Sequence, residues 1–440
     1  MDAEYYRPNF IKMENLLSDL DTRQMRSYLD FVRCGPFGST ITCDTYLNDG
    51  VVVARPFNIE GMAFRYENLA FISDVDVKKK GLHLYRGGDI FFSRVGDIRV
   101  GYLAANDKYP HVTISPNIIA VRIKNGSFQS EYLTVFLNTK YGQQQIERGL
   151  KVVAQPTIST SLISKIKVFI PDKDDEQKVN ELFLTALDSY EKSKEYYAQA
   201  QHLLESELGL DKLNFQKPVG YTARFSMVGL SDTFNAGRID AQCFAPNAVF
   251  YKNWLLNHAQ CDRLAHLIQS TAKGRQQTES SRGTTDYCSI KHISGRELTN
   301  VSKCQPAADT PLAGLNDLLL AITGATIGKI GIVKRYNQLA FSGDLLCLRA
   351  KPEINPHYLL VALDHSLGQV QFNRWITGST NGHLAPRDVG RVLVPRFKRS
   401  TEDRIAQLVE ESLSKRVESE KLLDQAKTRV EQLIEEAVQS

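Results

Sequence analysis

The sequence predicts an α+β chain of two similar lobes, each followed by a long charged helix. An internal pseudo-twofold repeat relates the halves, and the two helices are expected to separate the lobes as an antiparallel coiled coil. Three observations lead there. Met1-Asp2-Ala3-Glu4-Tyr5-Tyr6-Arg7-Pro8-Asn9 returns as Ile239-Asp240-Ala241-Gln242-Cys243-Phe244-Ala245-Pro246-Asn247. Gly88-Asp89-Ile90-Phe91-Phe92-Ser93-Arg94-Val95-Gly96 returns as Asn316-Asp317-Leu318-Leu319-Leu320-Ala321-Ile322-Thr323-Gly324. Each copy then ends in a stretch with apolar residues at three- and four-residue steps. A separation above 200 residues is far beyond a solenoid unit of roughly 20–50 residues, so a whole lobe with its helix is duplicated.

The segments follow in order: a first lobe over 1–172, a helix over 173–216, a linker over 217–237, a second lobe over 238–399 and a second helix over 400–440. In the first lobe, Ile118–Ile123 and Lys165–Ile170 read as strands, the latter with period-two alternation. Amphipathic helices are expected over 9–20 and 131–147. In the second lobe the counterparts are strands over Leu345–Arg349 and Arg391–Val394, with helices over 249–270 and 356–371. Strands mixed with helices without a regular βαβ rhythm indicate α+β lobes. The first long helix carries Val179, Leu182, Phe183, Ala186, Leu187 and Tyr190, then Leu203, Leu204 and Leu208. Pro171-Asp172 opens it and Gly209 closes it. The second carries Ile405, Leu408, Val409, Leu413, Val417, Leu423, Val430, Leu433 and Ile434. At 1.5 Å per residue each spans roughly 55 Å. Packing on one another is favoured for the two helices; packing of each on its own lobe is the alternative.

Composition narrows the class. The 440 residues are enough for two or three domains with real cores. No run approaches the ~18 apolar residues of a membrane span, and the N-terminus lacks the apolar centre of a signal peptide. Seven scattered cysteines with no C-x-x-C pair suggest thiols in a reducing cytoplasm and no zinc site. The net charge of +4 is unevenly placed. The first lobe has 21 basic against 18 acidic side chains, and the second has 20 against 11. The helical stretches 173–216 and 400–440 have 5 against 10 and 6 against 10. Basic lobes suit a polyanion, whereas acidic helices do not.

Several strings imitate catalytic motifs and fail on spacing. Gly324-Ala325-Thr326-Ile327-Gly328-Lys329 has three residues between its glycines where a phosphate loop has four, and Ile330 stands where a Mg²⁺-binding hydroxyl belongs. Asn355-Pro356-His357-Tyr358 resembles the Asn-Pro-Pro-Tyr of adenine methyltransferases, but reads better as a turn opening a helix. Pro171-Asp172 with Glu176 and Lys178 has nuclease letters at a helix start, where acidic residues are expected anyway. No histidine pair has metal-ligand spacing. No catalytic residue and no metal ligand is therefore assigned.

What remains is a set of loops. Ser93–Gly101 and Thr323–Gly331 follow strands at equivalent places and combine glycines, small hydroxyls and a cation. Such loops bring backbone N–H groups and a positive charge to phosphates; as glycine hairpins they would be purely structural. Arg94, Gly96 and Arg99 are the candidates in the first; Thr323, Gly324, Thr326, Gly328 and Lys329 in the second. A further pair of polar turns adds Gln155 and Thr157, and Asn381 and His383, because Gln and Asn pair bidentately with adenine. Arg33–Ser39 adds Gly35 and Ser39, with no counterpart recognised in the second lobe.

Together these strings resemble the type I restriction-modification specificity subunits, the HsdS family. The Asp-Ala-Glu-Tyr-Tyr opening, the Gly-Asp-Ile-x-x-Ser-Arg-x-Gly and Thr-Gly-Ala-Thr-Ile-Gly-Lys-Ile-Gly loops and the Ile354-Asn355-Pro356-His357-Tyr358-Leu359 helix start carry the resemblance. So do the closing units Val168-Phe169-Ile170-Pro171 and Val392-Leu393-Val394-Pro395. Two departures stand out: Asp97-Ile98-Arg99 in the first loop, and Cys243-Phe244-Ala245 at the second opening. The resemblance implies a non-catalytic, cytoplasmic subunit binding double-stranded DNA, each lobe a target recognition domain for one half of a bipartite site. It implies two methyltransferase subunits carrying S-adenosylmethionine, and motor-nuclease subunits using ATP and Mg²⁺, with no cofactor on this chain. The helices would be the spacer and the docking surface, with Leu182, Leu187, Tyr190, Leu204, Leu408, Val417, Leu423 and Leu433 as docking residues. The alternatives are the specificity subunit of a related system with a fused methyltransferase-nuclease partner, a self-contained DNA-modifying enzyme, and a scaffold without a nucleic-acid role.

Overall fold

The computed structural model describes residues 3–150, 156–210, 213, 241–378 and 381–439. The expected linker 217–237 lies outside them, as does Gln155. The chain forms two compact units: residues 1–191 with 416–440, and residues 192–415. These cut across the segment boundaries expected from sequence, because each long helix contributes to both. The first runs Lys173–Glu207 and the second Arg399–Gln439.

In unit 1 a six-stranded sheet runs in the order Leu29–Cys34, Ile118–Ile123, Ile90–Ser93, Val100–Tyr102, Ala63–Phe64, Ile59–Glu60. Its first four strands are antiparallel neighbours. A smaller sheet sets Val51–Ala54 between Ala70–Ile72 and, in parallel, Val112–Ile114. Unit 2 repeats the plan. Ile268–Lys273, Leu345–Ala350, Leu318–Ala321 and Ile330–Ile332 form the antiparallel sheet. Thr285–Cys288 lies parallel to Leu339–Phe341 in the smaller one. The expected strands at 118–123, 345–349, 165–170 and 391–394 are present, the last two as Lys167–Phe169 and Leu393–Arg396.

Three expected helices are shorter or broken. The stretch 249–270 is helical over 249–258, as part of Pro246–His258, and again in the single turn Leu264–Leu267. Gln260–Arg263 then turns extended to pair with Leu393–Arg396, and strand pairing overrides the apolar spacing. The stretch 131–147 is two helices, Ser130–Asn138 and Lys140–Gly149. Thr139 leaves the helical region at ψ 166°, and its hydroxyl donates to Phe136 O at 2.6 Å. The turn is tight: a Cβ on Gly142 would sit 2.4 Å from Phe136 O. The stretch 356–371 breaks the same way at His365, with Gly368 equally close to Leu363 O.

Matching polar contacts hold the two lobes. Asp89 is 1% exposed and is forked by Arg122 at 2.6 and 2.7 Å. Asp317 is forked by Arg349 at 2.9 and 2.6 Å. Gln145 exchanges two hydrogen bonds with the Lys167 backbone, as Gln371 does with Leu393. Tyr132 donates to Phe169 O and Tyr358 to Pro395 O. Divergent sequences thus keep the same internal ties.

Within unit 1 the helix segments run antiparallel: Asp175 meets Arg429 at 3.0 Å and Ala186 O accepts from Ser419. Val179, Phe183 and Ala186 share one core with Ala426, Val430 and Ile434, and with Tyr132 and Phe136 of the lobe. Within unit 2, Tyr197, Ala200 and Leu204 share a core with Ile405, Val409 and Leu413 and with the lobe. The helices therefore pack on each other and on the lobe within each unit. Each lobe adds a guanidinium over a helix tyrosine: Arg65 over Tyr190 at 3.5 Å and Arg296 over Tyr197 at 3.7 Å. Burial pulls the Arg65 guanidinium below its ordinary pKa, while Tyr190 and Glu60 oppose the shift.

Removing Arg122 leaves the Asp89 carboxylate buried without its fork. Arg122→Ala is expected to destabilise unit 1 by about 3 kcal/mol, seen as an earlier transition in urea. A midpoint equal to wild type would contradict the role given to this pair.

Candidate nucleic-acid interface

The strand pair Ile90–Ser93 and Ile118–Ile123 is pinned at one end by Asp89 and Arg122 and releases its site loops at the other. Arg94 leaves the first strand and donates its N–H to Asn117 O at 2.8 Å. The polar turn at 156–158 closes on the same loop. Val95 bridges Thr157, Gly96 N–H donates to Pro156 O, and Ile158 N–H donates to Arg94 O. Gly96 has φ +79°, a region that glycine enters at little cost. Gly35 joins from the neighbouring strand, its N–H on Ile118 O at 2.8 Å. A Cβ there would fall 2.0 Å from Ser115 O. Loops 35–40, 94–99, 115–117 and 156–158 thus meet at one end of the sheet. Ser39 sits in an exposed turn of the first of them.

Unit 2 assembles the corresponding parts. Thr323 bridges His383, Gly324 N–H donates to Gly382 O, and Leu384 N–H donates to Ile322 O. Gly324 has φ +75°. The Thr323 hydroxyl donates to Asp344 at 2.6 Å. Asn381 and His383 are exposed beside it. The structure therefore joins the two loop sets that sequence had treated separately, and it does so in both lobes.

Sequence reasoning missed one member. Gly274-Arg275-Gln276 occupies in unit 2 the place of Gly35-Pro36-Phe37. A Cβ on Gly274 would lie 2.2 Å from Ser342 O, as one on Gly35 would from Ser115 O. Gly274 and Gly35 each follow a six-residue strand, and their 239-residue offset is one more than the 238 of the opening repeat. That offset was the available signal. The Gly35 segment is not confined to the first lobe.

Several candidates also make contacts within their own lobe. Arg99 pairs with Asp97 at 3.2 Å and reaches Ile59 O at 3.4 Å. Lys329 stands at the equivalent position and reaches Ile290 O at 3.3 Å. Both cations tie a loop to a neighbouring turn, a structural use that the phosphate reading did not foresee. Gly328 is buried, and its carbonyl accepts from Gln369. Thr326 and Arg94 stay exposed, with the Arg94 guanidinium 3.5 Å from Pro116 O.

The helix residues expected to dock partners lie on packed or half-packed faces. Tyr190, Leu204, Leu408, Leu423 and Leu433 are buried within their own units, and Leu182, Leu187 and Val417 are half-buried. An amphipathic helix buries its apolar stripe first, so a partner would meet the outward face, where Leu184 is 46% exposed.

The strings that imitated enzymes have structural uses. Asn355 caps Pro356–Asp364 by accepting from His357 N–H at 3.0 Å. Asp172 accepts from Asp175 N–H, and Glu176 from Gln129 N–H, at the start of the long helix. Among the described residues no three His, Cys, Asp or Glu side chains gather as a metal site, and no helix is long and apolar enough to cross a membrane.

Comparison with known proteins gives one family match: residues 38–198 fit the type I restriction modification DNA specificity domain. No curated protein matches the chain significantly by sequence. Among solved structures, the chain is similar to a type I restriction-modification S subunit from M. genitalium. Identity is 11%, the TM-score is 0.41, and coverage is 94% of this chain and 95% of that one. It is also similar to the HsdS subunit from Thermoanaerobacter tengcongensis, with 11% identity, TM-score 0.30 and coverage of 94% and 95%. A third likeness, to the type IIG restriction endonuclease BpuSI, has 12% identity, TM-score 0.31 and coverage of 52% and 38%.

Two outcomes check the local readings. Gly35→Ala is expected to cost about 1–3 kcal/mol through its clash with the 115–116 backbone, whereas Gly38→Ala, with nothing within 4 Å, is expected to be neutral. Equal melting temperatures for the two variants would refute the close-approach argument. Burial, helped by Lys334 at 3.0 Å, holds His357 down to about 4. The unfolded value is about 6.5, so the neutral ring's contribution is complete above that pH and disappears as pH falls toward 4. Glu410, 3.9 Å from Lys334, opposes the shift. His357→Gln is expected to remove up to about 3 kcal/mol of acid sensitivity from unit 2. An unchanged stability–pH slope would contradict it.

Proposed function

Through residues 38–198 the chain belongs to the family of type I restriction-modification DNA specificity domains, and on that premise we propose that each of its lobes reads one half of a bipartite double-stranded site. The observation that carries this is the doubled loop end. In both lobes two loop segments distant in sequence are bridged into one surface, Val95 to Thr157 and Thr323 to His383. Arg94 in the first lobe and Asn381 and His383 in the second are exposed polar groups there. A guanidinium suits a phosphate or guanine, and an amide suits adenine. The excess of 20 basic over 11 acidic side chains across residues 238–399 adds long-range attraction to a polyanion.

In this reading the chain carries out no chemistry. It positions two methyltransferase subunits, which hold S-adenosylmethionine and modify adenine. Motor-nuclease subunits with ATP and Mg²⁺ complete a cytoplasmic assembly against foreign DNA. The two long helices set the unread spacer between half-sites, and their outward faces receive the methyltransferases.

Co-expression with its methyltransferase partner, followed by genome-wide sequencing of methylated adenines, tests the reading. The expected result is a two-part motif with a fixed gap, present only when this chain is present. Arg94→Ala should weaken binding roughly tenfold and flatten the salt dependence. Heptad insertions matched in both long helices should change the gap and leave the half-sites unaltered. An uninterrupted motif, or methylation that persists without this chain, would overturn the proposal.

A further inference from the structure

The loop after strand Leu29–Cys34 holds an aromatic ring in water. Phe37 is 88% exposed, more than any other large hydrophobic residue among those described. The loop is nonetheless tied down. Gly35 donates to Ile118 O at 2.8 Å, Thr40 N–H donates to Phe37 O at 2.8 Å, and Ile41 is buried. It rests against the turn Ser115–Asn117, the same turn that receives the Arg94 backbone and guanidinium.

The second lobe supplies an internal comparison. Gln276 stands where Phe37 does, and its side-chain oxygen accepts from the Ser342 hydroxyl at 3.2 Å. Phe37 has no acceptor to offer. The Ser115 hydroxyl, in the place of Ser342, is buried and has no hydrogen-bond partner. The first lobe thus keeps a phenyl ring in solvent and an unpaired hydroxyl beneath it, and neither favours the chain on its own. A ring projecting beside an exposed guanidinium matches nucleic acid, whose bases offer apolar faces behind a charged backbone.

Resting on the reading of the lobes as DNA readers, we propose that Phe37 is a base-contacting wedge of the first lobe. Its ring enters the half-site at a base step and partly unstacks it, while Arg94, on the same turn, engages the adjoining phosphate. Pyrimidine–purine steps unstack most easily, so the half-site read by this lobe contains one at the position Phe37 meets. The second lobe, with Gln276 in that place, reads without a wedge.

The test uses the full chain assembled with its methyltransferase partner and a duplex carrying the site mapped from genomic methylation. 2-Aminopurine replaces bases one at a time in both half-sites, away from the methylated adenine. Wild type should raise the fluorescence at one step in one half-site only. Phe37→Ala should abolish that rise and weaken binding at least about tenfold, with melting unchanged. Phe37→Trp should retain both, and Gln276→Ala should not affect the signal. Wild-type affinity and fluorescence in Phe37→Ala would overturn the wedge while leaving the DNA reading intact. Absence of specific binding by the wild-type assembly would overturn the DNA reading and the wedge with it.

Discussion

The site in each lobe depends on one buried ion pair placed away from it. Asp89 precedes the strand Ile90–Ser93, and Arg122 lies in the adjacent strand Ile118–Ile123. A carboxylate that is 1% exposed is costly unless it is fully engaged. Two guanidinium nitrogens and the Arg86 N–H engage it. Asp317 is engaged in the same way by Arg349 and the Gly314 N–H. The geometry tolerates little slip, since a one-residue shift of register would send Arg122 to the other face. With register fixed at that end, Arg94 and Asn117 are delivered opposite one another at the other. The pair therefore determines where the loops begin.

The same economy governs the helices. Each amphipathic helix needs cover for its stripe, and the lobe and the opposing helix segment provide it together. The Arg65–Tyr190 and Arg296–Tyr197 contacts add polar ties within each unit. Asp364 joins the second, accepting from Arg296 at 2.7 Å and from Tyr197 at 2.8 Å. A guanidinium on a tyrosine face adds a directional contact to the apolar ones between lobe and helix.

Much of this was legible in sequence because duplication doubles every signal. The long helices showed through their periodicity, and the strands at 118–123 and 345–350 through continuous apolar runs. What escaped was decided by tertiary contact. The stretch 249–270 has helical spacing throughout, yet Gln260–Arg263 is claimed by Leu393–Arg396. The first copy already held the answer, since Thr22–Gln24 pairs with Lys167–Phe169 soon after the helix Pro8–Ser18. Gly142 and Gly368 marked the helix breaks, though a lone glycine in a helical pattern does not announce one. The carbonyls that Arg99 and Lys329 reach also escaped, because sequence shows a charge and not its neighbours.

Comparison of the two copies separates framework from loop surface. Positions that hold the lobe together keep their chemistry: Asp89 and Asp317, Arg122 and Arg349, Gln145 and Gln371, Tyr132 and Tyr358, Gly35 and Gly274. Arg148 and Arg374 belong with them, each donating to a carbonyl of the opening segment, Tyr5 O and Cys243 O. At the loop end the chemistry changes. Phe37 corresponds to Gln276, Asn117 to Asp344, and Arg94 to Ile322. Two copies that must distinguish different ligand halves would diverge there, while any change in the buried ties would move the loops themselves. The pattern of difference follows the loop surface and spares the contacts that hold it, as the proposed reading of the lobes requires.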